Sequence, residues 1–365
     1  MGKEINVYAV IMAGGVGSRF WPKSRERSPK QLMEIEGGRT MIQNTVDRLK
    51  GFVPEKNIFV VTNKLQKHAI IKQLSALPVE NIIVEPIGRN TAPCIGLAAM
   101  FVRRLDPKGV MVVLPADHII HNEEEFLRVL DVGVGIAHKE ESLITIGIQP
   151  THPETGYGYI QVVEEEHSKN GRLPAGVFRV KTFAEKPNIA TAQKFVESGD
   201  FYWNSGMFMW RADVILHEIK RSLPELHGQL MEIEPSLGTP LLEQSIEHAY
   251  GMIRGISIDY GVMEKAKSVY VIRGEFGWSD VGSWDEVYRL SVKDDQGNHL
   301  HGKVVSFESR NSYIHTDDKL VAAVGVDDLI IINTHDALLV CKRGSSQDVK
   351  EIVDHLRRKQ MNEYL

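Results

Sequence analysis

Five short runs of apolar residues recur in the first half of the chain: VYAVIM (7–12), IFVVT (58–62), NIIVE (81–85), VMVVLP (110–115) and LITIGI (143–148). None alternates with polar residues. A strand with one wet face alternates, so these read as strands buried on both faces. The stretches between them, 40–52, 63–77, 91–105 and 122–139, carry helical spacing. Such strands can be hidden only by helices laid above and below a sheet. The pattern predicts an α/β fold with a Rossmann-like, mixed but mostly parallel sheet and helices on both faces. Ligands of such sheets lie beyond the carboxyl ends of the strands, so segments that leave a strand matter most.

From about 150 to 285 the texture is mixed. GYGYIQVVEEE (156–166) and GVFRVKTFAEKP (176–187) read as strands with solvent-facing alternation, followed by helices and a strand at 206–211. After the turn Asp295-Gln296-Gly297-Asn298, short strands recur at roughly ten-residue spacing, then a helix from Gln347 to about Glu363 closes the chain. We expect one large domain over 1–290, with a first half to about 150 and, over 151–290, a lid or acceptor-binding half grafted on the same sheet. Residues 291–365 form a small β-rich module resembling a short β-helix.

With 48 acidic against 43 basic residues, the chain is weakly acidic, which argues against nucleic acid or a membrane surface as partner. No apolar run reaches the ~18 residues of a membrane span. The N-terminus has no signal-peptide pattern. Cys94 and Cys341 are the only cysteines, too few for a disulfide framework. A cytoplasmic protein is expected.

Against that weak acidity, VIMAGGVGSRFWPKSRERSPKQL (10–32) is a local exception. It passes from a strand through three glycines into Arg19, Lys23, Arg25, Arg27 and Lys30, with only Glu26 to offset them. It is neither a Walker A loop nor a dinucleotide fingerprint, since the required Lys-Ser/Thr and third glycine are missing. Glycines let backbone N–H groups converge on an anion. A solvated basic loop is the bland alternative, but strand, glycines and cations together suit a polyphosphate. In VVLPADHII (112–120), Asp117 follows the most apolar strand. Asn122 already offers the next helix its N-cap, with Glu125 placed for a capping box. Asp117 is therefore available to Mg2+, which prefers one or two carboxylates with phosphate oxygens and water. His118 beside it reads as structural or solvent-facing. Asp280 in EFGWSDVGSW (275–284) is a second carboxylate, or simply a turn residue. Glu185-Lys186 before Pro187 offers an acceptor for sugar hydroxyls and a point charge for phosphate. Asn204 in YWNSGMF (202–208) can donate and accept. Each of these is equally at home in an ordinary turn.

Together, MAGGVGSRFWPKSRERSPKQL, EPIGRNTAPC, LPADH, TGYGYI, FAEKP, WNSGMF and WSDVGSW resemble the motifs of the sugar-nucleotidyltransferase family, in its order, over roughly residues 5–290. The likeness is nearest to members that make GDP-mannose and pyrophosphate from GTP and mannose 1-phosphate. The resemblance implies a glycosyltransferase-A-like fold, and that 1–290 is a catalytic domain whose first half, to about 150, is nucleotide-binding. It implies that Arg19 and Lys30 hold the triphosphate and departing pyrophosphate, that Asp117 and Asp280 bind Mg2+, and that Lys186 grips the sugar phosphate. Gly156, Glu185 and Asn204 would contact the hexose. Ala13, Gly14, Gly15, Gly17 and Ser18 would face the nucleotide, with Glu85, Arg89, Asn90 and Thr91 beside the base. Glu85 suits the N1–H and amino group of guanine, although it also simply ends a strand, and Asn90 or Thr91 equally reads as a helix cap. Phe20 and Lys23 replace leucines usual in relatives, which adds a cation beside the phosphate loop. Some relatives carry a C-terminal isomerase domain, for which 365 residues leave no room. The β-rich tail implies a homodimer.

The alternatives are a guanylyl- or thymidylyltransferase for another hexose or heptose 1-phosphate, and a non-catalytic nucleotide-sugar sensor. A sensor would be expected to lose Arg19, Lys30 or a metal carboxylate, and all are present. A nicotinamide-binding protein is disfavoured by the missing fingerprint.

Overall fold

In the strand Val7–Met12 (β1), Val10 enters one hydrophobic core while Ala9 and Ile11 enter another, and all three are fully buried. That double burial is why the strand shows no alternation. The computed structural model describes residues 5–35, 37–163, 167–168 and 171–365. Residues 164–166, the acidic end of the strand expected from 156, lie outside them.

The main sheet adds Ile58–Asn63 (β2), Ile82–Glu85 (β3), Val110–Pro115 (β4), Leu143–Ile148 (β5), Gly158–Val163 (β6), Val177–Glu185 (β7), Phe201–Arg211 (β8) and Val269–Gly274 (β9). Its nine strands run in the order β3-β2-β1-β4-β8-β5-β9-β7-β6. Only β7 and β8 oppose the common direction, so the sheet is mixed and mostly parallel. Strand β8 pairs with both β4 and β5, which puts a strand from the expected acceptor-binding half at the centre of the sheet.

Helices Met41–Asp47 (α1), Lys67–Gln73 (α2) and Glu123–Glu140 (α4) cover one face; Thr91–Leu105 (α3) covers the other. Ala192 of Ile189–Ser198 (α5) packs with Tyr159, Phe201 and Trp203 near the sheet edge. Ala212–Ser222 (α6), Pro224–Ile233 (α7) and Leu242–Met252 (α8) join α3. Asn122 caps α4 as expected, its Oδ1 accepting from Glu125 N at 3.1 Å. The reciprocal half of a capping box does not form, because the Glu125 carboxylate is taken by Arg128 at 2.7 Å.

Beyond Trp284–Leu290 (α9) the chain coils through His299–His301 (β10), Val304–Phe307 (β11), Tyr313–Thr316 (β12), Val321–Val324 (β13), Leu329–Asn333 (β14) and Leu338–Lys342 (β15). Strands β10, β12 and β14 stack in parallel, β15 closes them antiparallel, and β11 pairs with β13 on a second wall. This is a short β-helix. The last helix, Val349–Arg358 (α10), stops earlier than expected: Gln360 adopts φ +57°, outside the helical region, and a 3-10 turn follows at Asn362–Tyr364. Phe20 and Trp21 share a third core with Trp284, Tyr313, Ile330 and Val349, which seats the glycine-rich segment on this module.

Candidate active site

The strand order turns at β1, whose neighbours are β2 on one side and β4 on the other. A crevice opens beyond the carboxyl ends at such a reversal. Met12 and Pro115, the last residues of β1 and β4, line a cleft of about 470 Å³ there.

The glycine-rich turn is held from behind. Gln31 Nε2 donates to the carbonyls of Ala13 and Gly15 at 3.0 Å each, and Gln66 Nε2 donates to Gly15 O at 3.2 Å. Both glutamines are buried. With these carbonyls engaged, among the described residues no protein acceptor takes the N–H groups of Gly14 through Gly17. That is the arrangement an anion-binding nest requires. Gly17 sits at φ +67°, and a Cβ there would lie 2.6 Å from Lys30 Cβ. The close approach brings Lys30 under the loop. Its Nζ lies 3.0 Å from Asp117 Oδ2 and donates to Asp280 O at 2.5 Å. Asp280 Oδ1 accepts from the Tyr157 hydroxyl at 2.6 Å.

These contacts set the charges. Burial works to raise the Asp117 carboxyl, but the Lys30 ammonium, through its charge and its hydrogen bond, outweighs it and holds it below the ordinary range. Burial keeps Asp280 above that range, assisted by the negative charge of Asp117. Two half-buried carboxylates that repel each other form an oxygen donor pair suited to a hard divalent cation. Among the described residues there is no group of three or more His, Cys, Asp or Glu able to hold a metal. An ion here would complete its shell from phosphate oxygens and water.

The opposite wall comes from β7 and β8. Glu185 ends β7, and Lys186, at φ +48°, follows with its Nζ 3.2 Å from Glu185 Oε1. Gly158 faces them; a Cβ there would lie 2.3 Å from Glu185 Oε2, so only glycine leaves that carboxylate its place. The β5–β8 register breaks between Asn204 and Phe208, where Gly206 takes φ +69°, and Asn204 Nδ2 donates to Asp259 Oδ1 at 2.7 Å. Burial lifts the Asp259 carboxyl to about 6, against the Asn204 hydrogen bond. At the third wall Glu85 ends β3 and accepts from the Tyr250 hydroxyl at 2.9 Å. Burial drives its carboxyl up to about 7, the hydrogen bond opposing. Asn90, at φ +70°, caps α3 through Thr91 N at 2.8 Å, while Thr91 Oγ1 accepts from Ile258 N at 2.8 Å.

Of the residues singled out in sequence, the cleft gathers Gly14, Gly15, Glu85, Asn90 and Thr91 with Gly156, Glu185, Lys186, Asn204 and Asp280. Lys30 and Asp117 reach it through Asp280. Ala13 is buried behind the loop, and Gly17 and Ser18 lead away from it. The Arg89 guanidinium turns to the Tyr250 carbonyl at 3.3 Å. Arg19 lines a second, adjoining cleft of about 720 Å³ that shares Gly156, Tyr157 and Asp280 with the first. Among the described residues its side chain has no partner.

The cationic run divides in a way the sequence does not announce. Lys23 is not beside the phosphate loop: its Nζ reaches His315 at 2.7 Å and Asp317 at 2.8 Å in the β-helix. Arg25 binds Asp336 and the Tyr364 carbonyl. Carboxylates of the C-terminal module thus neutralise two of the five cations. His118 is structural, as expected, and also lines the cleft: its Nδ1 accepts from Trp278 Nε1 at 3.1 Å, and burial drops the ring to about 4, keeping it neutral.

Sequence reading missed Asp259, Tyr250, Gln31 and Tyr157. Tyr157 lay within the TGYGYI motif, and Asp259 directly follows the apolar Ile258. Nothing in sequence marks Tyr250, whose partner is 165 residues away.

The Nucleotidyl transferase family profile matches residues 8–297. The chain belongs to the nucleotidyl transferase family. A second profile, described as a MannoseP isomerase/GMP-like beta-helix domain, matches residues 302–356. Among family members, mannose-1-phosphate guanylyltransferases of Salmonella muenchen and Escherichia coli K12 are each 40% identical to it, over 97% of this chain and 74% of theirs. A crystal structure described as a mannose-1-phosphate geranyltransferase from Thermus thermophilus matches 97% of this chain and 100% of its own, at 31% identity and a TM-score of 0.84. Among the described residues no helix is long and apolar enough to cross a membrane.

Proposed function

We propose that this chain transfers GMP from GTP to mannose 1-phosphate, releasing pyrophosphate and forming GDP-mannose. The observation that carries this is the 40% identity to mannose-1-phosphate guanylyltransferases along 97% of the chain. The cleft geometry supports it. Asn90, Thr91 and Glu85 receive the nucleoside, with Glu85 as acceptor for guanine. Glu185, Asn204 and the Gly156 backbone receive the hexose, and Lys186 its phosphate. Arg19, Lys30 and the free N–H groups of the glycine turn hold the triphosphate.

An oxygen of the sugar phosphate attacks the α-phosphorus as the bond to the β-phosphate oxygen breaks, so the electron pair leaves on pyrophosphate. A phosphate monoester is already anionic at neutral pH, so no side-chain base is needed. This fits a cleft whose lining histidine, His118, is half-buried and neutral. The protein's task is to bring two polyanions together in line and neutralise them. Mg2+ held by Asp117 and Asp280 would supply charge neutralisation at the phosphate oxygens.

The reading includes a cytoplasmic homodimer. Both cysteines are free thiols, as a reducing compartment favours. Phe307 and Val324, paired across β11 and β13, are 64% and 66% exposed, an apolar surface for a second copy. Light scattering of the purified protein tests the dimer.

Pyrophosphate release, coupled to a colorimetric readout, across GTP, ATP, UTP and dTTP and several hexose and heptose 1-phosphates, with and without Mg2+, tests the assignment. The strongest signal is expected with GTP, mannose 1-phosphate and Mg2+. Preference for another pair would overturn the substrate assignment. Nucleotide-sugar binding without turnover would favour a sensor.

A further inference from the structure

Lys23, Ser24 and Arg25 are consecutive, yet their side chains serve two parts of the molecule. Lys23 pairs with Asp317 and Arg25 with Asp336, carboxylates just beyond β12 and β14, which are neighbouring strands of the β-helix. Ser24, between them, is 3% exposed and donates its hydroxyl to Gly17 O at 2.6 Å. The residues on either side are fastened as well. Trp21 Nε1 donates to Tyr364 O at 2.9 Å, Trp21 O accepts from Trp284 Nε1 at 3.2 Å, and Glu26 Oε1 accepts from Arg357 Nη2, on α10, at 3.0 Å. Yet none of residues 21–26 lines the cleft of the base and sugar residues or the adjoining one that Arg19 lines.

The contact on Gly17 gives this fastening a use. Gly17 O also accepts from Phe20 N at 2.9 Å, so two donors fix the peptide between Gly17 and Ser18. In a trans peptide the N–H points away from the C=O. The Ser24 hydroxyl therefore also aims the Ser18 N–H, which meets no protein acceptor among the described residues. Glycines leave such a turn free to adopt many conformations, and an anion binds best where converging N–H groups are already in place. Gln31 and Gln66 hold the turn at Ala13 and Gly15, and Ser24 is the corresponding anchor at Gly17. Two ion pairs, one on each side of Ser24, keep its backbone in place.

We infer, resting on the guanylyl-transfer reading, that Ser24 is a positioning residue for the phosphate-binding turn, held on Gly17 by the β-helix through Asp317 and Asp336. The C-terminal module then governs how well GTP binds without touching it.

The test is steady-state kinetics on the full chain, with the KM for each substrate measured separately. Ser24→Ala is expected to raise the KM for GTP about 5- to 10-fold, the value of one buried hydrogen bond, and that for mannose 1-phosphate less than about twofold. Asp317→Ala and Asp336→Ala together are expected to raise the KM for GTP about threefold, although neither carboxylate lines either cleft. Because both changes act through one contact, the triple variant should match Ser24→Ala to within about twofold rather than multiply the two effects. Thermal melting checks that the variants fold. If Ser24→Ala is unstable, the carboxylate variants, whose side chains are partly exposed, carry the test alone. An unchanged KM for GTP in folded variants overturns the inference, as does a parallel rise in both KM values, which marks a general loosening. Multiplied effects in the triple variant overturn the part given to the β-helix. A wild-type chain inactive with GTP and mannose 1-phosphate instead overturns the reading beneath it.

Discussion

The ammonium of Lys30 lies 3.0 Å from Asp117 Oδ2, a pair closed across 87 residues of chain. Lys30 is only 4% exposed. The pair couples the glycine-rich segment after β1 to the carboxylate after β4. Removing the ammonium leaves Asp117 facing Asp280 with nothing between their charges. Lys30→Met is therefore expected to lower kcat at least about 100-fold and to cost about 2 kcal/mol of stability, between the values for surface and buried pairs. Steady-state kinetics and urea unfolding measure both. Near-normal turnover would remove Lys30 from the phosphate site.

Arg19 separates catalysis from folding more cleanly. Its side chain is exposed and has no protein partner among the described residues. Arg19→Ala should cut kcat at least about 100-fold, the cost of losing one donor aimed at transition-state charge, and leave the melting temperature essentially unmoved. Asp117→Ala should lose as much activity, and its response to added Mg2+ should flatten. Wild-type turnover in either variant would defeat its assigned role.

Glu85 predicts a pH dependence. Its carboxyl is raised from 4.5 to about 7, mainly by burial. The folded chain therefore holds this proton more tightly than the unfolded one. The stabilisation is complete below about pH 4.5 and is lost as the pH rises through about 7. Relative to Glu85→Gln, the ligand-free protein should lose about 3 kcal/mol between pH 4 and pH 8. Urea midpoints at several pH values check the slope; parallel curves would refute it. If Glu85 reads guanine, the same variant should also narrow the preference for GTP over ATP.

Gly17 should tolerate no side chain. At φ +67° a Cβ is strained, and here it would also meet Lys30 Cβ at 2.6 Å. Gly17→Ala is expected to destabilise by about 1–3 kcal/mol and to raise the KM for GTP, because Lys30 must shift. Gly15, where a Cβ would meet nothing within 4 Å, is the matched control for the loss of stability. Equal effects of alanine at both positions would remove the steric argument.

Much of this molecule is written locally. Ala9, Val10 and Ile11 declare a strand buried on both faces because side-chain periodicity records burial directly. Asn122 declares a helix start because capping needs only residues three apart. The motifs carrying Glu185, Lys186, Asn204 and Asp280 can be picked out because each is contiguous in the chain, although Asn204 proves to lie within β8 and Glu185 at the end of β7 rather than in ordinary turns. What a cation pairs with is not local. Lys23 and Arg25 belong to a run that reads as one phosphate-binding patch, yet they spend their charge on Asp317 and Asp336 some 300 residues onward, while Arg19 and Lys30 remain beside the cleft. Asp259 and Tyr250 reach the site only because the chain returns to the ends of β8 and β3. The sequence by itself determined which segments are buried and how the chain turns, since those depend on neighbours a few residues apart. Only the tertiary structure decided which charges are cancelled and which stay free for a ligand, because Coulomb and hydrogen-bond partners are chosen by distance in space.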